Sequence, residues 1–563
     1  MAKVTPITTS MAAGEISPLM YGRVDTEGYA AGVASMRNMY ADSRGPAINR
    51  HGLKQIQELA GEDGRVWGYR ATDSIPFAIV AREVNIDVVS ISESIPATVG
   101  LYAAVAPFNA AALWAGPELQ EVQIIPAPGT NTIYFIHELH QPHKLVYDPG
   151  PKTWTFGPVT FTSAPASWTG ANWPSVGAFY QGRLWLGSTP AEPETFWGSK
   201  SGLPEDFTLG SLDDEAIEFT LEQAGRIEWM ASARNMIVGT IGAEYIVSSE
   251  GAVITPTDVF AEFQSVYGSK SVKAIPVGDK VFYISPDGRK VRGVQYEWTA
   301  DALLSQDLTF ISEHITEGSI KQFAWVQNPN NLLWCVLENG DACCMTYERS
   351  NNVFGWHSHD TQGDFIDVGN VDALGTSYAI FLTKRQDATL FLEIMSDYTQ
   401  LDSHITITND PATDVITGLD HLEGYEVQIL ADGAVHPNRT VVSGSITLQL
   451  EAEEVIVGLQ FIPSVVTLTP EVGNKLYSSQ PAIKAYNKIY VNCRDSNAPL
   501  INGIRPPDRT PGTPMDTGEP AITTIYTVNP FGNSKSISIS VSQDLPVPLT
   551  ILSIYAEMAV NLL

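Results

Sequence analysis

Three histidines, His137, His140 and His143 in the run Ile136-His137-Glu138-Leu139-His140-Gln141-Pro142-His143, invite a metal reading, because imidazole nitrogens are common zinc ligands. The spacing is one residue short of the His-Glu-x-x-His frame of zinc peptidases, and Pro142 breaks any helix that would align the rings. Alternate residues share a face of a strand, so positions three apart diverge, and the run is expected to be a hairpin turn. His357 and His359, in Trp356-His357-Ser358-His359-Asp360, would share a face. No third ligand is evident beside them, and they are expected to be ordinary exposed strand residues. Asp213-Asp214-Glu215 could supply an acid and a base for glycoside cleavage, but adjacent carboxylates usually diverge. There is no Gly-x-Ser-x-Gly elbow, no Gly-rich phosphate loop and no Ser-x-Asp-x-Gly-x-Thr-Trp box. The sequence predicts no catalytic residue, no metal and no cofactor, hence no enzyme.

What must position these residues is a long, acidic, β-rich chain. Its 563 residues are enough for more than one domain. Acids outnumber bases 63 to 33, for a net charge of -30. Such a surface repels DNA phosphates and anionic membranes and argues against nucleic-acid binding through a basic patch. No signal segment opens the sequence, and its best apolar run, Leu101–Ala115, is interrupted by Pro107 and Asn109. The chain is expected to fold in a cytoplasm, with Cys335, Cys343, Cys344 and Cys493 reduced.

Hairpins follow one another through the middle of the chain. Lys280–Ser285 and Lys290–Tyr296 flank Pro286-Asp287-Gly288, and Leu332–Leu337 and Ala342–Tyr347 flank Asn339-Gly340. Similar turns are read near Arg82-Glu83, Glu138-Leu139, Ser188-Thr189, Gly242 and Arg385-Gln386. They recur at roughly the spacing of a four-stranded propeller blade. Neither Trp-Asp dipeptides in a Gly-His frame nor kelch double glycines mark the repeats. All twelve tryptophans lie between Trp67 and Trp356, which suggests a boundary near residue 400. The expected fold is mainly β: an N-terminal arm over 1–54 containing a short helix, a β-propeller of six or seven blades over 55–400, a β module over 401–480 and a C-terminal β segment over 481–563. Within the module, Glu426–Leu430, the turn Asp432-Gly433, Ser445–Leu450 and Val455–Phe461 are read as hairpin elements. Arg505–Pro520 reads as a Pro/Gly/Asp-rich loop, a candidate mobile or partner-contacting element. In the arm, Asp25 is expected to cap a helix with Tyr29, Val33, Met36 and Met39 on one face.

The stretch Gly14-Glu15-Ile16-Ser17-Pro18-Leu19-Met20-Tyr21-Gly22-Arg23-Val24-Asp25 opens a series of matches. It continues through Gln181-Gly182-Arg183-Leu184-Trp185-Leu186-Gly187-Ser188, Trp197-Gly198-Ser199, Ile227-Glu228-Trp229-Met230 and Tyr267-Gly268-Ser269. Gly355-Trp356-His357, Leu419-Asp420-His421-Leu422-Glu423-Gly424 and Asp544-Leu545-Pro546-Val547-Pro548 follow. In residues and order the series resembles the tail tubular protein B, or tail nozzle, family of short-tailed bacteriophages. Arg70–Thr130 matches least, and Asn49-Arg50-His51-Gly52 departs from a more basic form.

The resemblance implies a structural virion protein at the distal end of the tail. It would form a homohexameric tube that docks on the tail adaptor ring, with tail fibres attached near that junction and viral DNA passing through during ejection. The arm and the last β segment would form a platform facing the adaptor, with Glu15, Arg23, Asp25, Arg37, Arg44 and Arg50 as candidate contacts. Glu205, Asp206, Asp213, Asp214, Glu215, Glu218 and Glu222 lie between Lys200 and Arg226 with no base among them, and are candidates to line the lumen. Six copies carry roughly -180 charges, and a wall of carboxylates would not hold DNA, because no cation–phosphate contact forms. The competing reading is a carbohydrate-binding or glycan-cleaving propeller with tryptophans as sugar platforms. Trp185, Trp197, Trp229 and Trp334 lie in apolar runs and are expected in the core instead.

Overall fold

The computed structural model describes residues 2–561 except 93, 96–104, 223–224, 252, 298, 300–301, 386–388, 396–398, 472–478 and 508–517. Most of the loop Arg505–Pro520 and the start of the run Leu101–Ala115 therefore lie outside the described residues. Among those described, no helix is long and apolar enough to cross a membrane.

Strands such as Pro76–Arg82, Leu332–Leu337 and Lys280–Ile284 are buried along their whole length. A strand covered on both faces needs apolar residues at odd and even positions alike, as these have. In the last of them Phe282 and Ile284 enter one core, and Val281 and Tyr283 enter the core on the opposite face. Each such strand is the second of an antiparallel four-stranded blade, and there are seven blades. Their innermost strands are Gly64–Arg70, Gln123–Pro126, Val176–Tyr180, Ile227–Ser232, Ile275–Val277, Ile320–Val326 and Asp364–Ala373. The seventh blade is completed by Lys54–Leu59, which pairs antiparallel with Leu390–Met395 and closes the ring. A separate apolar core fills every junction between consecutive blades, including that between the seventh and the first. The chain is thus a seven-bladed β-propeller.

Each of the seven turns read from the sequence between residues 82 and 386 joins the second and third strands of one blade. At Pro286-Asp287-Gly288 the glycine takes φ +72° and Ser285 Oγ accepts from Lys290 N at 3.1 Å. The seventh turn starts at Arg385 and continues into residues outside those described.

The outer strands of the sixth and seventh blades are not left as edges, which would invite pairing with other chains. The sixth ends on Val353–His359, and its sheet continues through Gly14–Glu15, Gly32–Arg37, Ser464–Thr467, Ser540–Ser542 and Leu500–Ile501. The seventh continues from Lys54–Leu59 into Leu401–Thr417, parallel to it, then Ser445–Gln460, Glu426–Ala431 and Ala434–Thr440. Ser445–Gln460 is one long strand where two were expected. Its neighbours turn at Asp432 (φ +47°) and Gly433 (φ +75°), as a two-residue hairpin requires. A third sheet joins the two ends of the chain. Thr550–Asn561 lies between Ile483–Ser496 and Ala47–Asn49, and also pairs with Ala2–Val4 and Ile7–Thr8.

The arm helix is shorter than expected and differently capped. It covers only Glu27–Ala30, and Thr26, not Asp25, accepts the capping bond from Tyr29 N. Asp25 is held by Arg23 at 2.8 Å. Val33 and Met36 lie on the strand Gly32–Arg37, and Met39 lies on Met39–Ala41. A register shift opposite Val466 and Thr467 inserts one extra residue between Val33 and Met36. Both side chains therefore reach the same core despite a spacing of three, which imitates helical periodicity.

Candidate functional site

The conformation of the arm is fixed at its glycine. Gly14 has φ +66°, and a Cβ there would lie 2.2 Å from the Trp356 carbonyl oxygen, so any other residue would push the arm off the sixth blade. Beyond it, Glu15 turns inward: its carboxylate accepts from Met36 N at 2.9 Å and contacts His314 Nε2 at 2.9 Å. Arg50 is fully buried. Its guanidinium donates to Asp402 at 2.6 and 2.7 Å, to Asn38 Oδ1 at 3.1 Å and to the Asp360 carbonyl at 2.9 Å, and lies 3.7 Å from the Phe461 ring centre. Glu15 and Arg50 thus tie the arm to the propeller and the module, which corrects their candidacy as adaptor contacts. A buried guanidinium needs a carboxylate and several acceptors, and the chain supplies the carboxylate from 352 residues away.

The other four candidates carry charge near the surface. Arg23 pairs with Asp25, Arg44 with Asp42 at 2.7 Å, and Arg37 with Asp360 at 3.0 Å. Exposed pairs of this kind add little stability. Sequence reasoning passed over Leu19, which is 81% exposed on the 3-10 turn Pro18–Met20, where Ser17 Oγ accepts from Leu19 N. The Ser-Pro-Leu order was the available signal, since proline favours the first helical position.

All seven candidate lumen acids fall on the segment that leads into and through the outermost strand of the third blade, Ile217–Thr220. None lies on an inner strand. Buried Arg183 organises the loop from within by donating to the carbonyls of Ser199, Asp213 and Glu215 at 2.7, 2.5 and 2.6 Å. Burial lowers the pKa of this arginine, and no carboxylate lies among these acceptors. Glu205 meets Lys144 Nζ at 2.7 Å and the Tyr134 hydroxyl at 3.0 Å. Glu215 folds back onto Leu212 N at 3.0 Å, and Glu218 accepts from Trp197 Nε1 at 3.1 Å. Asp206 accepts from Thr208 N and Oγ1, at 2.9 and 2.7 Å. Asp213, Asp214 and Glu222 are exposed.

The inner strands enclose a cavity of about 360 Å³ lined by Arg65, Trp67, Lys273, Gln322, Trp325 and Asn370 among others. Lys273 precedes the fifth blade, and its Nζ donates to the Ile124 carbonyl of the second at 2.5 Å. These blades are not neighbours, so the side chain crosses the axis. Burial pushes the Lys273 pKa down to about 8. A space of this size suits a small molecule at most, so the propeller's own axis is no passage for a polymer.

His137 and His140 flank the expected hairpin turn between Thr132–His137 and His140–Asp148. Their rings are 5.2 Å apart, and each meets a glutamate of the short helix Glu118–Glu121: His140 Nε2 to Glu118 at 2.8 Å and His137 Nε2 to Glu121 at 3.3 Å. The hydrogen bond from His140 lowers the Glu118 pKa. His143 lies elsewhere, against Phe156.

The second histidine pair overturns its reading. His357 and His359 are buried, because the arm and the seventh blade cover what would otherwise be an outer strand. Their Nδ1 and Nε2 atoms are 2.7 Å apart. Cys344 on the adjacent strand is paired in register with His357, and one ligand atom from each of the three residues lies within 4.8 Å of the others. That third residue was legible: Glu348 opposes Val353 across the turn, so counting back places Cys344 opposite His357.

Trp185, Trp197, Trp229 and Trp334 are all buried in blade cores, as expected, along with Trp114, Trp154, Trp168 and Trp356. Trp67, Trp173 and Trp325 are partly buried, and Trp298 lies outside the described residues. Of the partly buried ones, Trp67 and Trp325 line the axial cavity.

No family model matches the chain, and no curated protein matches it. Among solved structures it is similar to U3-55K, at 9% identity and a TM-score of 0.38, over 61% of this chain and 99% of that one. It is also similar to the WD40 domain of Neurospora crassa Pan2, at 8% identity and a TM-score of 0.37, over 63% and 97%. The RRP9 WD40 repeats match at 9% identity and a TM-score of 0.39, over 62% and 98%. These are likenesses of fold, and the seven-bladed ring stands on its own strand order.

Proposed function

We propose that this protein is a structural subunit of a short-tailed phage tail: the distal nozzle, docked on the tail adaptor ring and conducting DNA during ejection. The observation that carries this reading is the resemblance running in order from Gly14 to Pro548. The architecture is compatible with it. Residues from both ends of the chain build one sheet beside the propeller, and a docking platform would need such a surface. Because Lys273 crosses the propeller axis, any conduit has to be enclosed by several copies, with the propellers as its wall. A homohexamer, the number implied by the resemblance, would supply six. Arg23, Asp25, Arg37, Arg44 and Leu19 are the arm residues able to meet the adaptor. Asp213, Asp214 and Glu222 are free to line a non-adhesive path. Under this reading the protein is not an enzyme and needs no cofactor, and tail fibres are a further partner in the virion.

The test is electron microscopy of the purified protein mixed with its tail adaptor ring. Six-fold tubes with an open axial channel capping the adaptor are expected. Isolated propellers that never join it would refute the assignment, and a glycan-array screen would then follow.

A further inference from the structure

The sixth and seventh blades meet around a small polar group walled by rings. Tyr40 and Trp334 lie 5.9 and 4.5 Å from the His359 ring, and Phe381 lies 5.2 Å from Trp334. Inside, His357 Nε2 is 3.2 Å from Thr346 Oγ1, and His357 Nδ1 is 2.7 Å from His359 Nε2. His359 Nδ1 has no hydrogen-bond partner. A buried polar atom without a partner is costly and calls for an explanation. Beside the rings lies the Cys344 thiol, also fully buried.

We propose that Cys344, His357 and His359 form a buried three-ligand site for one thiophilic d10 cation, Zn(II) or Cu(I). One thiolate and two imidazoles are a donor set that such ions accept and that Mg(II) or Ca(II) does not. An uncharged imidazole already offers a lone pair, so neither ring has to lose a proton to bind. His357 ligates through Nδ1 and keeps its Nε2–H towards Thr346, and the ion takes the place of the hydrogen bond between His357 Nδ1 and His359 Nε2. Thr346 is placed to hold the His357 ring from behind, as outer partners of metal ligands do. The one proton released is that of the Cys344 thiol, which passes to solvent as the S–metal bond forms, and no electron is transferred. With Cu(I) the site is neutral; with Zn(II) it carries one positive charge. The adjacent Arg50–Asp402 pair is self-compensating. Since all three ligands are buried, the ion enters before the two blades close. This inference does not rest on the nozzle assignment.

The full-length protein is refolded with Zn(II) in one arm and, anaerobically, with Cu(I) in the other, then desalted and analysed for metal. About one equivalent per chain is expected in at least one arm, falling to about a tenth or less in Cys344→Ala. Less than about a tenth of an equivalent in both arms, or loading unchanged by Cys344→Ala, overturns the proposal. Should that variant not fold, X-ray absorption of the loaded native protein decides. One sulfur and two imidazole nitrogens in the first shell support the site, and a shell without sulfur refutes it.

Discussion

Replacing Arg50 with methionine removes the cation that joins the arm, the module and the sixth blade. Asp402 now accepts four hydrogen bonds: two from Arg50 at 2.6 and 2.7 Å, one from Thr361 Oγ1 at 2.8 Å and one from Leu53 N at 3.2 Å. Both charged side chains are 0% exposed. The variant leaves a carboxylate with half its partners in a site that water does not reach, a loss of about 3–5 kcal/mol. Arg50→Met/Asp402→Leu removes both charges together, and an apolar pair of similar volume is often tolerated. The carbonyls of His51 and Asp360 still lose donors, so the double variant should fall short of the native protein by about 1–2 kcal/mol. The double variant should therefore be about 2–3 kcal/mol more stable than Arg50→Met alone, so the two substitutions are far from additive. Urea titrations read by far-UV circular dichroism report on the whole chain, and tryptophan fluorescence reports on the propeller, where every tryptophan lies. Midpoints should be compared within one probe, since a chain of this size need not unfold in a single step. A single-variant loss below about 1 kcal/mol, or a double variant as unstable as the sum of the two singles, would refute the reasoning.

Three further outcomes are expected. Gly68→Ala places a Cβ 1.9 Å from the Asn370 carbonyl oxygen where the first and seventh blades touch, so it should lower the urea midpoint by the equivalent of about 3 kcal/mol; an unchanged midpoint would mean that this contact gives way easily. Lys273→Met should stabilise the protein at pH 7, where the folded state bears the cost of a buried ammonium. The folded lysine loses its proton near pH 8 and the unfolded one near 10.4. That cost therefore fades as pH rises through this window, and so does the advantage of the variant; an advantage constant from pH 7 to about 10 would count against it. Reversing Asp213, Asp214 and Glu222 to lysine should change stability by less than about 0.5 kcal/mol per site, as these side chains are exposed, while slowing DNA ejection from reconstituted virions. An unaltered ejection rate would remove these acids from the path.

Much of the propeller was legible because its turns announce themselves. Asp287-Gly288 and Asn339-Gly340 demand backbone geometry that few residues supply, and the apolar runs beside them exceed what a strand with one wet face would tolerate. Blade number stayed open between six and seven because the repeats share little sequence and the last blade takes its outer strand, Lys54–Leu59, from the opposite end of the propeller sequence, where no local signal marks it. The helix reading of Val33 and Met36 failed for a definable reason: a bulge adds one residue to a period of two, and the result looks helical. Arg50 and His357 were read as surface groups because their cover arrives from remote segments. Polar residue type is a poor guide to exposure once a distant carboxylate or thiol is waiting.

The sheet that joins the two ends of the chain also sets a timetable. Thr550 leaves the ribosome about 500 residues after Asn49, and at 5–20 residues per second the interval is roughly half a minute to two minutes. Throughout it Ala47–Asn49 has only its hairpin partner Met39–Ala41 in that sheet, while the blades can form one by one behind them. That sheet is thus the last to take shape, and a polypeptide cut short between Met395 and Thr550 would present a ring of blades without the strand that joins the chain's two ends.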